Sequence, residues 1–266
     1  MQPTLTQINI FPVKSCAPLT ADHAVVEDRG LRGDRRWMIV DAEGRFVTAR
    51  KQPRLVLIRA VFEGDALLLD APRMPRLHLR VAAQALGPTV TVWADEVAAS
   101  SAQADADAWI SAYLDFSARF VFMADDCRRA VDPAYAQPGD QVSFADGFPL
   151  LLISQAALEQ LNLRLASPLP MLRFRPSIVV ANTPPHAEDG WRTIRIGEVA
   201  FDVVKPCVRC VLTTVDPASG EFDPSGEPLR TLISYRRGPK GVTFGQNLIP
   251  RSRGTIRVGD PVSIIE

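Results

Sequence analysis

Through most of this chain apolar and polar residues alternate in short runs, separated by glycine, proline or acidic turns, which is the pattern of β-strands. In the first half the runs predicted as strands are Gln7-Ile8-Asn9-Ile10-Phe11, Met38 to Asp41 and Arg54 to Phe62. Ala66 to Asp70, Leu77 to Val81 and Thr89 to Trp93 follow them. Asp41-Ala42-Glu43-Gly44, returning through Arg45 to Thr48, and Glu63-Gly64-Asp65 read as hairpin turns. Strands at this spacing predict a barrel-like or sandwich-like first half.

The period changes at residues 103–114. Trp109 with Tyr113 and Ile110 with Leu114 stand four apart, which predicts a helix with an apolar face toward the core. Beyond it, Arg119 to Met123 is a predicted strand and residues 125–140 an irregular surface stretch. Leu150 to Ile153 is a strand leading into Ser154, a good N-cap for a helix lined by Leu158, Leu161 and Leu165. Ser177 to Val180, a hairpin from Trp191 to Phe201, a short helix at 229–235, Val242 to Leu248 and two strands after Gly254 complete the pattern. The fold class predicted is mainly β with a few helices, α+β, in two units at 1–120 and 121–266.

Composition adds mostly exclusions. The chain has 266 residues, 47% hydrophobic and 23% charged, ordinary for a globular protein. Thirty basic residues balance thirty acidic ones, so no global field recruits nucleic acid or a membrane surface. The first residues lack a basic segment followed by an apolar one, and no apolar run reaches membrane-spanning length. Four cysteines at irregular spacing do not make a secreted disulfide scaffold. A reducing, cytoplasmic location is expected.

The chemistry-bearing stretch is Lys205-Pro206-Cys207-Val208-Arg209-Cys210, followed by Val211-Leu212-Thr213-Thr214-Val215. It predicts a strand, a turn carrying two thiols, and a second strand. C-x-x-C spacing serves zinc, a redox dithiol or a single metal-ligating thiolate, and two packed structural thiols fit it equally. Cys16, Cys127 and the three histidines supply no second ligand pair. Val211 to Val215 is a poor helix start for a thioredoxin-like motif. No nucleophile elbow, phosphate loop, dinucleotide fingerprint or RNA-binding module is present. Three basic loops remain: Lys14-Ser15, Arg32 to Arg36 in a stretch with four arginines in eight residues, and Arg173 with Arg175. Arginine forks and close glycine backbone suit a phosphate, and a thiolate suits a soft metal.

Together these segments resemble the MOSC family (molybdenum cofactor sulfurase C-terminal domain proteins), closest to its amidoxime-reducing type. The residues that carry the resemblance are Pro12-Val13-Lys14-Ser15-Cys16, Gly33-Asp34-Arg35-Arg36-Trp37 and Phe174-Arg175-Pro176. Cys207-Val208-Arg209-Cys210 with Leu212 to Pro217, Phe244-Gly245-Gln246-Asn247 and Gly259-Asp260-Pro261-Val262 complete it, in family order over nearly the whole chain. The resemblance implies an N-terminal β-barrel-like domain followed by a MOSC-type β-barrel. It implies a molybdenum–molybdopterin cofactor with Cys210 as metal ligand and Cys207 as its neighbour. Lys14, Ser15, Arg35 and Arg175 would contact the pterin and its phosphate, and Asp146, Gly147, Phe148, Val208, Arg209 and Asn247 would line the same pocket. Asn247 stands where mitochondrial members carry tyrosine.

The activity implied is two-electron reduction of an N–OH substrate (amidoxime, hydroxylamine or N-hydroxylated base) to N–H, with release of water. The chain carries no four-cysteine ferredoxin-type segment, so a separate flavin or iron–sulfur protein is the expected electron donor. Two other classes compete: a sulfur carrier holding a cysteine persulfide, and a binding or delivery protein for the cofactor without turnover.

Overall fold

The computed structural model describes residues 2–82 and 87–266. Its largest sheet has nine strands and is built mostly from the second half of the chain. Leu150–Ser154, buried at every position, lies beside Ile178–Ala181 in parallel and beside Gly241–Pro250 antiparallel. Gly241–Pro250 then pairs with the long Val199–Val208 strand, which pairs with Thr193–Ile196 and through it with Val262–Ile264. A strand buried on both faces needs apolar residues throughout, which is why Leu150-Leu151-Leu152-Ile153 is continuous rather than alternating.

The first strand of the chain also belongs to this sheet. Thr4–Ile10 pairs antiparallel with Ile178–Ala181, and His23–Glu27 pairs with Gly254–Arg257. The chain then crosses to its second region. Trp37–Asp41 pairs with Ala118–Phe122, Arg59–Glu63 with Ala66–Asp70, and Thr89–Val92 with Asp95–Ala98. The helix Ala104–Leu114 packs Trp109, Ile110, Tyr113 and Leu114 into the core of this region, with Trp109 and Tyr113 stacked at 5.8 Å.

The second helix, Gln155–Asn162, starts where the sequence places it: Ser154 Oγ accepts from the Ala157 amide. Gly245, φ 80°, sits in the Gly241–Pro250 strand, and a Cβ there would stand 2.6 Å from Ile153 Cγ1 and from the Leu152 carbonyl oxygen. Only glycine lets the two strands approach so closely.

Two predicted strands are helical turns instead. Pro53–Leu57 is a 3-10 turn, with the strand beginning only at Arg59; Pro53 supplies the fixed φ that opens the turn, and Leu55 and Val56 are its buried residues. Val211–Thr214 is likewise a 3-10 turn. There the Thr213 hydroxyl donates to the Cys210 carbonyl at 3.0 Å and the Thr214 hydroxyl to the Val211 carbonyl at 2.8 Å. These local bonds compete successfully with the β preference of the branched side chains.

Next to the sheet, His186 packs edge-on against Phe244 at 5.7 Å, and both its ring nitrogens are buried without a partner among the described residues. Burial, with Arg236 nearby, pulls its pKa down to about 4. The unfolded chain binds a proton there near the ordinary value of about 6.5, so between those values the unfolded state holds more protons. Stability therefore falls as pH drops from 6.5 toward 4. His186→Asn, which tolerates the left-handed backbone at this position, is expected to lose less stability between pH 7 and pH 5 in urea titrations. Identical losses in the two proteins would remove His186 as the cause.

Candidate active site

The site lies where the ends of these strands and their loops meet. The turn Pro12 to Cys16 follows the first strand and is fixed by Lys14 N–H donating to the Trp37 carbonyl at 2.8 Å. Lys14, buried at 4% exposure, donates through Nζ to the Phe144 carbonyl at 2.7 Å and to Asp146 Oδ1 at 2.6 Å. Burial pulls its pKa down to about 8, with Asp146 opposing. Cys16 is fully buried, and that burial pushes its thiol up to about 12, so it is an inert packing group.

Arg35 follows the buried Asp34, which accepts from Phe11 N–H at 2.8 Å and pairs with the Arg35 guanidinium. Arg35 and Arg175 both lie over the Phe11 ring, at 4.6 and 4.3 Å from its centroid. Two cations on one ring face repulsion, and Arg175 pays most visibly: burial, then Arg35, pulls its pKa down to about 9. The loop carrying Asp146 is held by the buried Arg129, which donates to the Ser143 carbonyl at 2.8 Å and the Ala145 carbonyl at 2.6 Å. Burial alone would raise the Asp146 carboxyl, but Lys14 and Arg50 outweigh it and hold it well below the usual carboxylate range.

The two thiols of the C-x-x-C point to different partners. Cys207, near the end of the Val199–Val208 strand, receives an N–H from Arg209 at 2.9 Å, and Arg209 also donates to the Phe174 carbonyl at 2.6 Å. Cys210 lies just beyond the strand and receives Arg50 Nε at 3.3 Å. All four cysteines are free. Asn247, on the neighbouring strand, donates to the Lys205 carbonyl at 3.1 Å and so supports the strand that carries the thiols.

The residues that the resemblance assigns to the cofactor line one pocket of about 190 Å³: Lys14, Ser15, Arg35, Asp146, Gly147, Phe148, Arg175, Cys207, Val208, Arg209, Cys210 and Asn247. Arg173, Leu212 and Thr213 join them. Arg29, Arg32 and Arg36 do not line the pocket and pair with Gln141, Glu27 and Asp125 instead. Arg50 is the addition that sequence reading missed; in Thr48-Ala49-Arg50-Lys51 it looks like an ordinary basic pair, with no glycine or thiol to mark it. A larger groove of about 600 Å³ backs onto the same wall and shares Arg173, Arg175 and Leu212.

Six of the pocket's lining residues are cationic and one, Asp146, is anionic. Arg175 Nη2, Arg173 Nε and Arg209 Nε are buried with no hydrogen-bond partner among the described residues. Buried donors without partners are costly, and three converging guanidinium groups suit a ligand rich in anionic oxygens. Backbone strain points the same way: Ser15, Arg35 and Arg175 have φ of 71°, 49° and 54°, a region that side chains other than glycine occupy only when their surroundings hold them there. Among the described residues no group of three or more His, Cys, Asp or Glu side chains could hold a metal between them, and no helix is long and apolar enough to cross a membrane.

A thiol at a strand end, ringed by arginines that arrive from both halves of one chain, is the setting in which the sequence comparisons take their meaning. Residues 2–117 match the MOSC N-terminal beta barrel domain and residues 139–263 the MOSC domain. The chain belongs to the MOSC family, and it carries both of that family's domains. It is 38% identical to mitochondrial amidoxime-reducing component 1 of Mus musculus, over 98% of this chain and 82% of that protein. It is 35% identical to the Homo sapiens component 1, over 98% and 83%, and 34% identical to the Homo sapiens component 2, over 97% and 82%.

Proposed function

We propose that this chain is a molybdenum-cofactor-dependent reductase of N-hydroxylated compounds that receives its electrons from a separate flavin or iron–sulfur protein. The single observation that carries the reading is the pocket itself: two partly exposed thiols, Cys207 and Cys210, among six cations, with three guanidinium nitrogens that have no partner among the described residues. Those residues fit a cofactor with an anionic phosphate and a thiophilic metal. The relatives' names, which specify amidoxime reduction, support the choice of substrate class.

In this reading Cys210 is the metal ligand. Lys14, Ser15, Arg35 and Arg175 hold the pterin and phosphate, while Asp146, Gly147, Phe148, Val208, Arg209 and Asn247 shape the pocket around it. When bound, the molybdenum cofactor would supply the two-electron chemistry that converts N–OH to N–H, consuming two protons and two electrons and releasing water. The protein's part is orientation and charge. Arg35 and Arg175 neutralise the phosphate, and Asp146 keeps Lys14 and Arg50 fixed by ion pairs on either side. Cys207, which accepts from Arg209, is assigned by the resemblance as a neighbour rather than a ligand.

We place the protein in a reducing compartment, since all four cysteines are free; the cytoplasm is the location proposed, although the relatives are named as mitochondrial. The test is metal analysis and turnover on protein from a host that makes the cofactor. About one molybdenum per chain is expected, with benzamidoxime reduced only when an electron-donor protein is added. Reduction directly from NADH without a partner would overturn the separate donor. A folded protein without molybdenum, carrying a persulfide by intact mass, would replace the reductase with a sulfur carrier.

A further inference from the structure

Trp93 is half exposed, yet it is held still. Its indole Nε1 donates to Asp146 Oδ1 at 3.3 Å, the Phe46 ring lies 5.1 Å away, and the Arg50 guanidinium sits 4.9 Å over its ring. Arg50 in turn places Nε 3.3 Å from Cys210 Sγ. One guanidinium therefore spans the gap between the indole and the sulfur.

The local backbone argues that this side chain is there for a reason other than folding. Val92 pairs with Asp95, so Trp93 and Ala94 are the two residues of a tight hairpin tip. Such tips favour asparagine or glycine, because φ is positive there; Trp93 has φ 59°. A bulky residue in this conformation is strained, and half of its surface is left exposed. A large aromatic residue that breaks the local rule and still leaves half its surface exposed is a candidate for function.

We propose that Trp93 is the residue that seats the substrate and selects planar, delocalised N-hydroxylated groups over small aliphatic or inorganic hydroxylamines. The inference rests on the reductase reading. The indole already carries one planar delocalised cation, the Arg50 guanidinium, and an N-hydroxyamidine presents the same flat N–C–N group. A ligand lying on the exposed part of the ring would meet a π surface whose position is fixed by Asp146 and by Arg50, the residue that connects it to the thiol. Hydroxylamine has no such plane and gains nothing from the ring.

The experiment uses the holoenzyme with Trp93→Asn, Trp93→Phe and, as a control, Phe222→Ala at an exposed aromatic away from the pocket. Three quantities are read: molybdenum per chain, binding of benzamidine by calorimetry, and the ratio of kcat/KM for benzamidoxime to that for hydroxylamine. For Trp93→Asn, benzamidine binding and the ratio are both expected to fall about five- to tenfold, with molybdenum retained. Trp93→Phe should restore most of both, and Phe222→Ala should change neither. The proposal is overturned if Trp93→Asn leaves the ratio and the benzamidine affinity as they were, or lowers both substrates equally. It is also overturned if that variant loses molybdenum, which would make Trp93 a prop for Asp146. Failure of the reductase reading looks different: the wild type would then turn over neither compound, while the benzamidine arm would still report on Trp93.

Discussion

Replacing Cys210 by serine is expected to cut bound molybdenum from about one per chain to under about a tenth, and to abolish reductase activity with it. A thiolate is a soft ligand that suits a thiophilic metal, and an alcohol oxygen is neither soft nor ionised at neutral pH. The fold has little reason to suffer. Cys210 is only partly buried, its sulfur takes a single hydrogen bond from Arg50, and serine can accept the same bond. The cofactor-free variant should therefore unfold within about 0.5 kcal/mol of the wild type, as substitutions outside a packed core usually do. Cys207→Ser is the control, because the proposed reading makes Cys207 the neighbour of the metal ligand, and it should keep its molybdenum. Metal analysis of the three proteins side by side decides the matter; equal loss in both variants would mean that the C-x-x-C acts as a pair.

The second large effect is expected at Arg175, and its two parts have opposite signs. Arg175→Met should weaken cofactor retention at least about tenfold, the scale of losing a charge-assisted bond to a phosphate oxygen. The cofactor-free protein should become more stable, by about 1 kcal/mol. The reason is that Nη2 of Arg175 is sealed from solvent with no partner, and Arg35 repels it across the Phe11 ring. Burial and Arg35 lower its pKa to about 9, so the guanidinium is charged in both states at neutral pH and the folded state carries the penalty there. Denaturant titration of the cofactor-free proteins at pH 7, beside their molybdenum content after loading, checks both signs. A variant less stable than the wild type would make Arg175 a structural cation anchored on Phe11.

Much of this was legible in the sequence, for identifiable reasons. Strands announced themselves where alternation was clean, as at Thr89–Val92, and the first helix where Trp109 and Tyr113 stood one turn apart. The pocket residues were marked by their types: thiols, arginines and glycines gathered in short segments whose order resembles a family, and the structure brings those segments to one pocket. Val211–Thr214 was misread because a β-branched run has no period of its own, and two threonine hydroxyls chose the turn. Arg50 and Trp93 were invisible as site residues because each follows an ordinary strand or turn. Their importance comes from where the first half of the chain meets the second, which no local pattern encodes.

That meeting also sets a timetable for the newborn protein. The first strand, which carries Lys14 and Ser15 at its end, finds its partner around Val179; the Thr6 hydroxyl donates to the Val179 carbonyl across 173 residues of sequence. At a ribosomal speed of about 5–20 residues per second, the N-terminal segment waits roughly ten to thirty seconds for that partner to be synthesised. Cys210 is made later still. The lysine and the thiol that face one pocket thus come together only near the end of translation, so the pocket can be loaded only on a nearly finished chain, and until then the Thr4–Ile10 edge is open to any other strand or chaperone that reaches it first.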